Sequence, residues 1–462
     1  MTVISGLCYA LYFTLLGYAA RASYNLLNQT HLLVEKKTDF LAHAFFLGVF
    51  IHVVIFNVYQ LLNLSNSNAL ILTAALIITG LIVIISHTLK YGIKSNKIKP
   101  SRQNIILIGL TIIGSGAIYW SSSNLPNIAW DSWMVWVGKA DQWVIHGLSV
   151  QINQFDAWLS DSESIFNSAA HYPDGLSLIY FLPKLVGAKE GTTNTLYLIA
   201  FTLICLLLVS RLARKGAPFY LQLLFIVVAF TTPLINNHLL IQGYADIWMA
   251  MYIVLIMLTF MDYHEKHELG VGITLIGYLL MLPMLKIEGW VWLILFMLAH
   301  LIVAIANHRH RFRILGLTLS ALAVIILIGG INLNFPLGNL IIGAEKIEIF
   351  GLLNTQLQFT NINDHLLSGF FWQNNWSILW VGLPFLLLSF FTKQHNKASQ
   401  ISHVFFVLAL SCFMFLFYFT EASKWAEDLT ALNRIVLQLT LCYLFLLFRL
   451  LSRLKGVQQT VE

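Results

Sequence analysis

Asp131 sits between two indoles in the string Trp130-Asp131-Ser132-Trp133. A carboxylate held at the depth where indoles anchor is partly withdrawn from water. Desolvation then lifts its pKa toward neutrality and suits it to act as a general base on a hydroxyl. An ordinary interfacial loop acid beside a tryptophan belt has the same appearance. Further on, in His171-Tyr172-Pro173-Asp174, the proline fixes the backbone ahead of an apolar run. Asp174 then suits the first turn of a helix, where a carboxylate favours the dipole. The His171 imidazole can cap or can hydrogen-bond a sugar or phosphate. Gly243-Tyr244-Ala245-Asp246 puts an acid about one turn inside an apolar run. A charge there is expensive and marks function unless it only caps the helix.

Two more charged groups stand where the apolar pattern disfavours them. Lys286 and Glu288 lie between Pro283 and Gly289 within one long apolar stretch, so the proline and glycine mark a reversal. Lys286 then suits a phosphate or a partner carboxylate, or snorkels beside Glu288. Arg434 enters the last apolar run in SKWAEDLTALNR and needs an anionic partner, for which Glu427, Asp428 or a lipid phosphate would serve. Asp156, Asp161 and Glu163 could hold a divalent cation, but their spacing puts them on no common helix face, and a solvated loop is the preferred reading. No metal or other cofactor is expected.

The elements that must position these residues are membrane helices. Of 462 residues 58% are hydrophobic and 10% charged, against roughly 25% charged in soluble proteins. That composition excludes a sizeable water-soluble domain and predicts an all-α, polytopic transmembrane protein. Spanning the bilayer takes roughly 20 apolar residues. Thirteen runs qualify, near 3–20, 40–62, 69–88, 104–120, 193–210, 218–235, 244–262, 270–285, 288–306, 313–332, 376–392, 402–420 and 432–450. Residues 1–103 form a three-span extension, 104–450 the main module and 451–462 a cytoplasmic tail. The polar loop 121–192 is expected to contain short interfacial helices, among them Gly175 to Gly187, which is too short to span. Between Trp120 and Asp174 it gathers six of the thirteen Trp and six acids.

The net charge of +6 comes from basic residues in short loops. Those loops, among them Arg211 to Lys215 and His308 to Arg313, read as cytoplasmic topology signals rather than nucleic-acid contacts. The amino terminus is then outside and the carboxyl terminus inside, and loop 121–192 lies outside with 233–244, 285–289, 333–375 and 421–434. No glycine-rich phosphate cradle is present, so an ATP-driven pump or a nucleotide-sugar enzyme working inside is unsupported. The first apolar run reads as a retained helix, not a signal peptide. Cys8, Cys205, Cys412 and Cys442 form no metal or disulfide pattern.

The order WDSW, a Tyr-Pro element closing the loop, GYAD and KIEG resembles the GT-C superfamily of multispanning glycosyltransferases. The likeness is nearest to the bacterial branch described as protein-mannosyltransferase-like or aminoarabinose-transferase-like, and covers about 104–450. The chain has His171 where that pattern carries an acid before Tyr-Pro. The resemblance implies Asp131 as general base, and Asp174, Asp246 and Glu288 around the acceptor or sugar. Lys286, His171 and Arg434 would grip a polyprenyl phosphate. The implied activity moves a sugar from a polyprenyl-phosphate donor to a glycan, lipid or protein acceptor, with inversion, at the outer face of the bacterial inner membrane. An O-antigen polymerase or ligase is the nearer alternative, and a transporter or flippase with charges along its path is the other.

Overall fold

The structure, a computed structural model, describes residues 2–459 apart from 29–36, 92–100, 124, 127, 162, 190, 318–319, 321–329, 336–337, 344, 350–352, 392–396 and 430. In lipid the backbone must satisfy its own polar groups, and apolar runs of this length do so as helices. Helix accounts for 77% of the structure. The chain is an all-α, multi-pass membrane protein, with two small sheets among the described residues as the exception.

Among the described residues nine helices are long and apolar enough to cross a bilayer. They are α1 (Thr2–Leu27), α2 (Lys37–Leu61), α3 (Asn66–Tyr91), α4 (Arg102–Ser122), α8 (Gly191–Arg214), α11 (Ala245–Lys266), α13 (Gly289–Ala306), and the helices Lys397–Phe419 and Leu432–Gln459. Four of the thirteen expected runs are not among these nine helices. The run 218–235 becomes α9 (Phe219–Thr231) and α10 (Pro233–Leu240), bent by 58°, because Pro233 has no N–H to continue α9 and starts a new helix instead. The run 270–285 becomes α12 (Leu269–Leu285), of 17 residues. The run 376–392 breaks into Leu379–Gly382, Leu383–Leu388 and Ser389–Phe391 at Gly382 and Pro384. Most of 313–332 lies outside the described residues.

The loop after α4 contains a π-turn, Ser132–Trp136, and the short helices α5 (Val137–His146), α6 (Phe155–Ser160) and α7 (Gly175–Leu185). Two parallel two-residue strands, β1 (Ile152–Asn153) and β2 (Ile165–Phe166), close the exposed part. Residues Gly175 to Pro183 of α7 are all buried, so this helix packs within the bundle.

By packing, the chain forms two units, Met1–Gly289 with Leu444–Glu462, and Trp290–Tyr443. The boundary expected at residue 103 does not coincide with a division in packing. In the first unit α1 and α2 touch backbone to backbone. A Cβ on Gly17 would lie 1.9 Å from the Ala44 carbonyl oxygen, and one on Gly48 1.7 Å from that of Phe13. Small residues at such crossings are how membrane helices come close without a hydrophobic drive between them. Helix α2 also holds α7, where His52 Nε2 lies 3.0 Å from the Leu178 carbonyl oxygen.

The first unit has two chemically distinct ends. Helices α8 and α11 both start beside the polar loop, where the Tyr197 hydroxyl donates to the Tyr244 carbonyl at 3.1 Å. Both finish in charge: Arg211 pairs with Asp262 and with the buried Asp39 of α2, and Arg214 also pairs with Asp39. Asp246 and Asp262 lie about 24 Å apart along α11, at 1.5 Å per residue. Lys90 ends α3 and Arg102 starts α4 on this same basic side. At the loop side, Asn66 of α3 caps the Trp143 carbonyl at 3.0 Å and Asn194 of α8 donates to the Ser122 carbonyl at 3.2 Å.

In the second unit, Trp380 stacks on Tyr443 at 4.4 Å, and Trp376 donates to Asn433 Oδ1 at 3.0 Å. Over residues 330–356 the sequence reading expected the end of the span 313–332 and then the loop 333–375. The structure has a four-stranded antiparallel meander: β3 (Gly330–Phe335), β4 (Gly338–Gly343), β5 (Lys346–Ile349) and β6 (Leu353–Gln356).

Candidate functional site

Asp131 sits at the cap position of the π-turn and is half-buried. Wide turns of this kind recur at functional sites because they re-aim a side chain out of helical register. Trp130 and Trp133 flank it, 51% and 53% exposed, with ring centroids 6.5 Å apart. The next residue, Ser132, is fully buried against the GYAD turn. A Cβ on Gly243 would lie 2.1 Å from Ser132 Oγ, and Gly243 has φ +100°. Only glycine meets both demands, so the local sequence dictates that WDSW and GYAD touch.

Lys139, about two helical turns further along, organises the end of the loop. It is 2% exposed, and its ammonium donates to the carbonyls of Ala170 at 3.0 Å and Tyr172 at 2.6 Å and to Asp174 Oδ1 at 2.9 Å. A buried ammonium is stable only when its protons are taken up. The backbone on either side of His171 supplies two of the acceptors. Asp174, expected in the first turn of α7, takes the cap position instead, and its carboxylate pairs with Lys139 rather than making a cap bond. Trp136 packs its ring 5.5 Å from Tyr172, and Asn167 donates to the Met134 carbonyl at 2.8 Å, fastening the same segment to the π-turn. A second ion pair, Lys184 with Asp141 at 2.6 Å, joins α7 to α5.

His171 lies on the outside of this segment, with Nδ1 2.9 Å from Gln154 Nε2. Partial burial, and then the nearby Lys139 ammonium, hold its pKa below the ordinary histidine value. It is therefore suited to neutral hydrogen bonding rather than to gripping an anion by charge.

Asp246 is fully buried at the start of α11. The Lys286 ammonium donates to Asp246 Oδ1 at 2.9 Å and pairs with Glu288 Oε1 at 3.0 Å. Two carboxylates around one ammonium leave a local negative charge, so Lys286 serves these acids before any phosphate. The end of α12, which leads into the KIEG turn, meets α7, and the turn folds back on α12. A Cβ on Gly175 would lie 2.3 Å from the Met284 carbonyl oxygen, and one on Gly289 would meet the Leu282 carbonyl at 2.1 Å.

Four segments far apart in sequence thus meet at the loop end of the first unit: WDSW on GYAD, GYAD on KIEG through Asp246 and Lys286, and the end of α12 that leads into KIEG on Gly175. Around them lie buried polar atoms with no protein partner: Ser132 Oγ, both amide atoms of Gln242, Trp248 Nε1 and Glu288 Oε2. Gln242 is 2% exposed. Unpaired buried polar groups cost free energy unless a ligand or water serves them.

Of the expected site residues, the structure brings together the Asp131 turn, Asp174, Asp246, Lys286 and Glu288, with His171 beside Lys139. Arg434 is half-buried in the first turn of Leu432–Gln459 and belongs to the second unit. Asp156 and Glu163 are exposed around α6. Among the described residues no group of three His, Cys, Asp or Glu side chains is placed to hold a metal ion. Sequence reasoning passed over Lys139, Ser132 and Gln242. The one available signal was a lysine in an acid-rich loop with Ala-Asp after it. No protein-family model matches this chain, and neither a curated protein nor a solved structure does.

Proposed function

We propose that this protein is an integral-membrane glycosyltransferase of GT-C type, moving a sugar from a polyprenyl-phosphate donor to a glycan, lipid or protein acceptor. The observation that carries this reading is the contact of WDSW, the Tyr-Pro-Asp segment, GYAD and KIEG at a single end of one helical unit. An acid at a π-turn next to buried, unserved hydrogen-bonding atoms suits a reaction on hydroxyl groups.

In this mechanism Asp131 removes the proton of the acceptor hydroxyl as its oxygen attacks the anomeric carbon. The bond from that carbon to the phosphate oxygen breaks, the configuration inverts, and the polyprenyl phosphate leaves with its charge. Ser132 and Gln242 offer neutral donors and acceptors for sugar or acceptor hydroxyls. Asp246, Lys286 and Glu288 hold the floor of the site through their mutual pairing. Lys139 positions the closing segment by occupying its carbonyls.

The basic end of the first unit is assigned to the cytoplasm by the positive-inside rule, which sets the site at the outer face of a bacterial inner membrane. The test is transfer by purified protein in liposomes across a panel of polyprenyl-phosphate sugars, with product read by mass spectrometry. Glycosylated acceptor is expected. Absence of product with every donor, together with substrate-dependent flux across the liposome, would replace the reading by a transporter.

A further inference from the structure

The meander β3–β6 is divided cleanly into two faces. Its register sets Ile331 opposite Ile342, Leu333 opposite Leu340 and Ile342 opposite Ile347. Side chains alternate along a strand, so these residues share one face with Phe335. The other face carries Asn334 opposite Asn339 and Glu348 opposite Asn354, with Ile341 its one apolar member in those pairs. On the apolar face Leu333 is 48% exposed, Phe335 46% and Ile342 39%. That face carries no charged side chain. A sheet of alternating pattern leaves its polar side to water and needs cover on the other.

The sheet's attachment says what the cover is. Leu357, one residue beyond β6, bridges Thr420. The Gln358 N–H donates to the Phe419 carbonyl at 3.1 Å, and the Thr360 N–H to the Tyr418 carbonyl at 2.9 Å. Those acceptors end the membrane-crossing helix Lys397–Phe419, so the sheet is tied to the level at which a span leaves the bilayer. Aromatic rings mark that level. Phe359 is 69% exposed and lies 5.6 Å from the ring of Phe419, which is 47% exposed. Aromatic side chains gather at such depths because they suit the headgroup boundary. The sheet therefore follows directly on a chain segment held at the end of the span.

We propose that β3–β6 is a membrane-surface anchor, lying on the bilayer with Leu333, Phe335 and Ile342 set into the boundary between headgroups and acyl chains. This assignment stands independently of the proposed enzymatic function. Because the apolar face has no cation, insertion requires no anionic lipid.

The test uses the full-length chain in phosphatidylcholine liposomes, with Cys8→Ala and Cys412→Ala to remove the accessible thiols. Cys205 and Cys442 are buried and stay. A nitroxide is placed in turn by Leu333→Cys, Ile342→Cys, Asn332→Cys and Asn334→Cys, and its collisions with oxygen and with a water-soluble nickel chelate are compared. The expected result is a two-residue alternation: labels at 333 and 342 favour oxygen, and labels at 332 and 334 favour nickel. Four nickel-accessible positions would overturn the proposal, leaving the face in water. Shielding of 333 and 342 from both reagents would overturn it in favour of a protein cover, such as a second copy. A lipid-soluble diazirine applied to the wild-type chain checks the same face without substitution, and absence of adducts on Leu333, Phe335 and Ile342 would equally count against it.

Discussion

A single glycine carries the contact between the proposed base and the rest of the site. Gly243 lies against Ser132 in a backbone conformation that L residues avoid. Gly243→Ala is expected to cost about 2–4 kcal/mol in strain and overpacking, and to lower activity by roughly a hundredfold as the Asp131 turn is displaced. Gly116→Ala serves as control, since a Cβ there meets nothing within 4 Å. Thermal unfolding and turnover, measured together, check both. His171 offers a pH test. Burial and then Lys139 disfavour its charged form in the folded protein. Its contribution to stability is therefore fully present above the ordinary value of about 6.5 and is lost as pH falls through the depressed folded value. NMR titration of the His171 ring is expected to give a midpoint below 6.5; a midpoint at or above it would contradict the assigned environment.

At the scale of elements, α1 and α2 behave as the buttress of the site rather than as an appendage. They pack backbone to backbone through Gly17 and Gly48, and α2 reaches α7 through His52. Gly48→Leu is expected to separate the pair and to cost about 3 kcal/mol or more, lowering the midpoint of thermal unfolding in detergent and the activity with it. The nine long spans were legible in the sequence because a run of roughly 20 apolar residues has few alternatives in lipid. The site motifs were legible for the converse reason, since a charge such as Asp246 within apolar sequence requires a partner. Lys139 was not legible, because its burial depends on carbonyls 31 and 33 residues away. The meander was hidden as well: Gly330–Phe335 alternates, but it follows an apolar run that reads equally as helix. The bend at Thr232–Pro233 had its signal in the proline, yet one apolar run of suitable length outweighed it.

At the largest scale, the first unit has a loop end and a basic end, and the proposed orientation and function rest on that division. The basic end is held by charge pairing among α2, α8 and α11. Asp39 is fully buried between Arg211 and Arg214. Asp39→Ala is expected to cost about 3 kcal/mol, near the low end for breaking a buried pair, because Arg214 keeps 33% of its side chain in solvent. Transfer rates at temperatures where the variant stays folded should be unchanged, since Asp39 lies a bilayer's depth from the site. A variant that loses transfer while its unfolding midpoint is unaltered would contradict that separation. The central claim is that the loop end is a glycosyl-transfer site with Asp131 as its base. The most direct measurement compares wild type and Asp131→Asn, both folded and in the same liposomes, for transfer from one defined polyprenyl-phosphate sugar. The predicted result is a fall of roughly 10²–10⁴ in rate, the usual worth of a positioned base; transfer by Asp131→Asn at the wild-type rate would contradict the account.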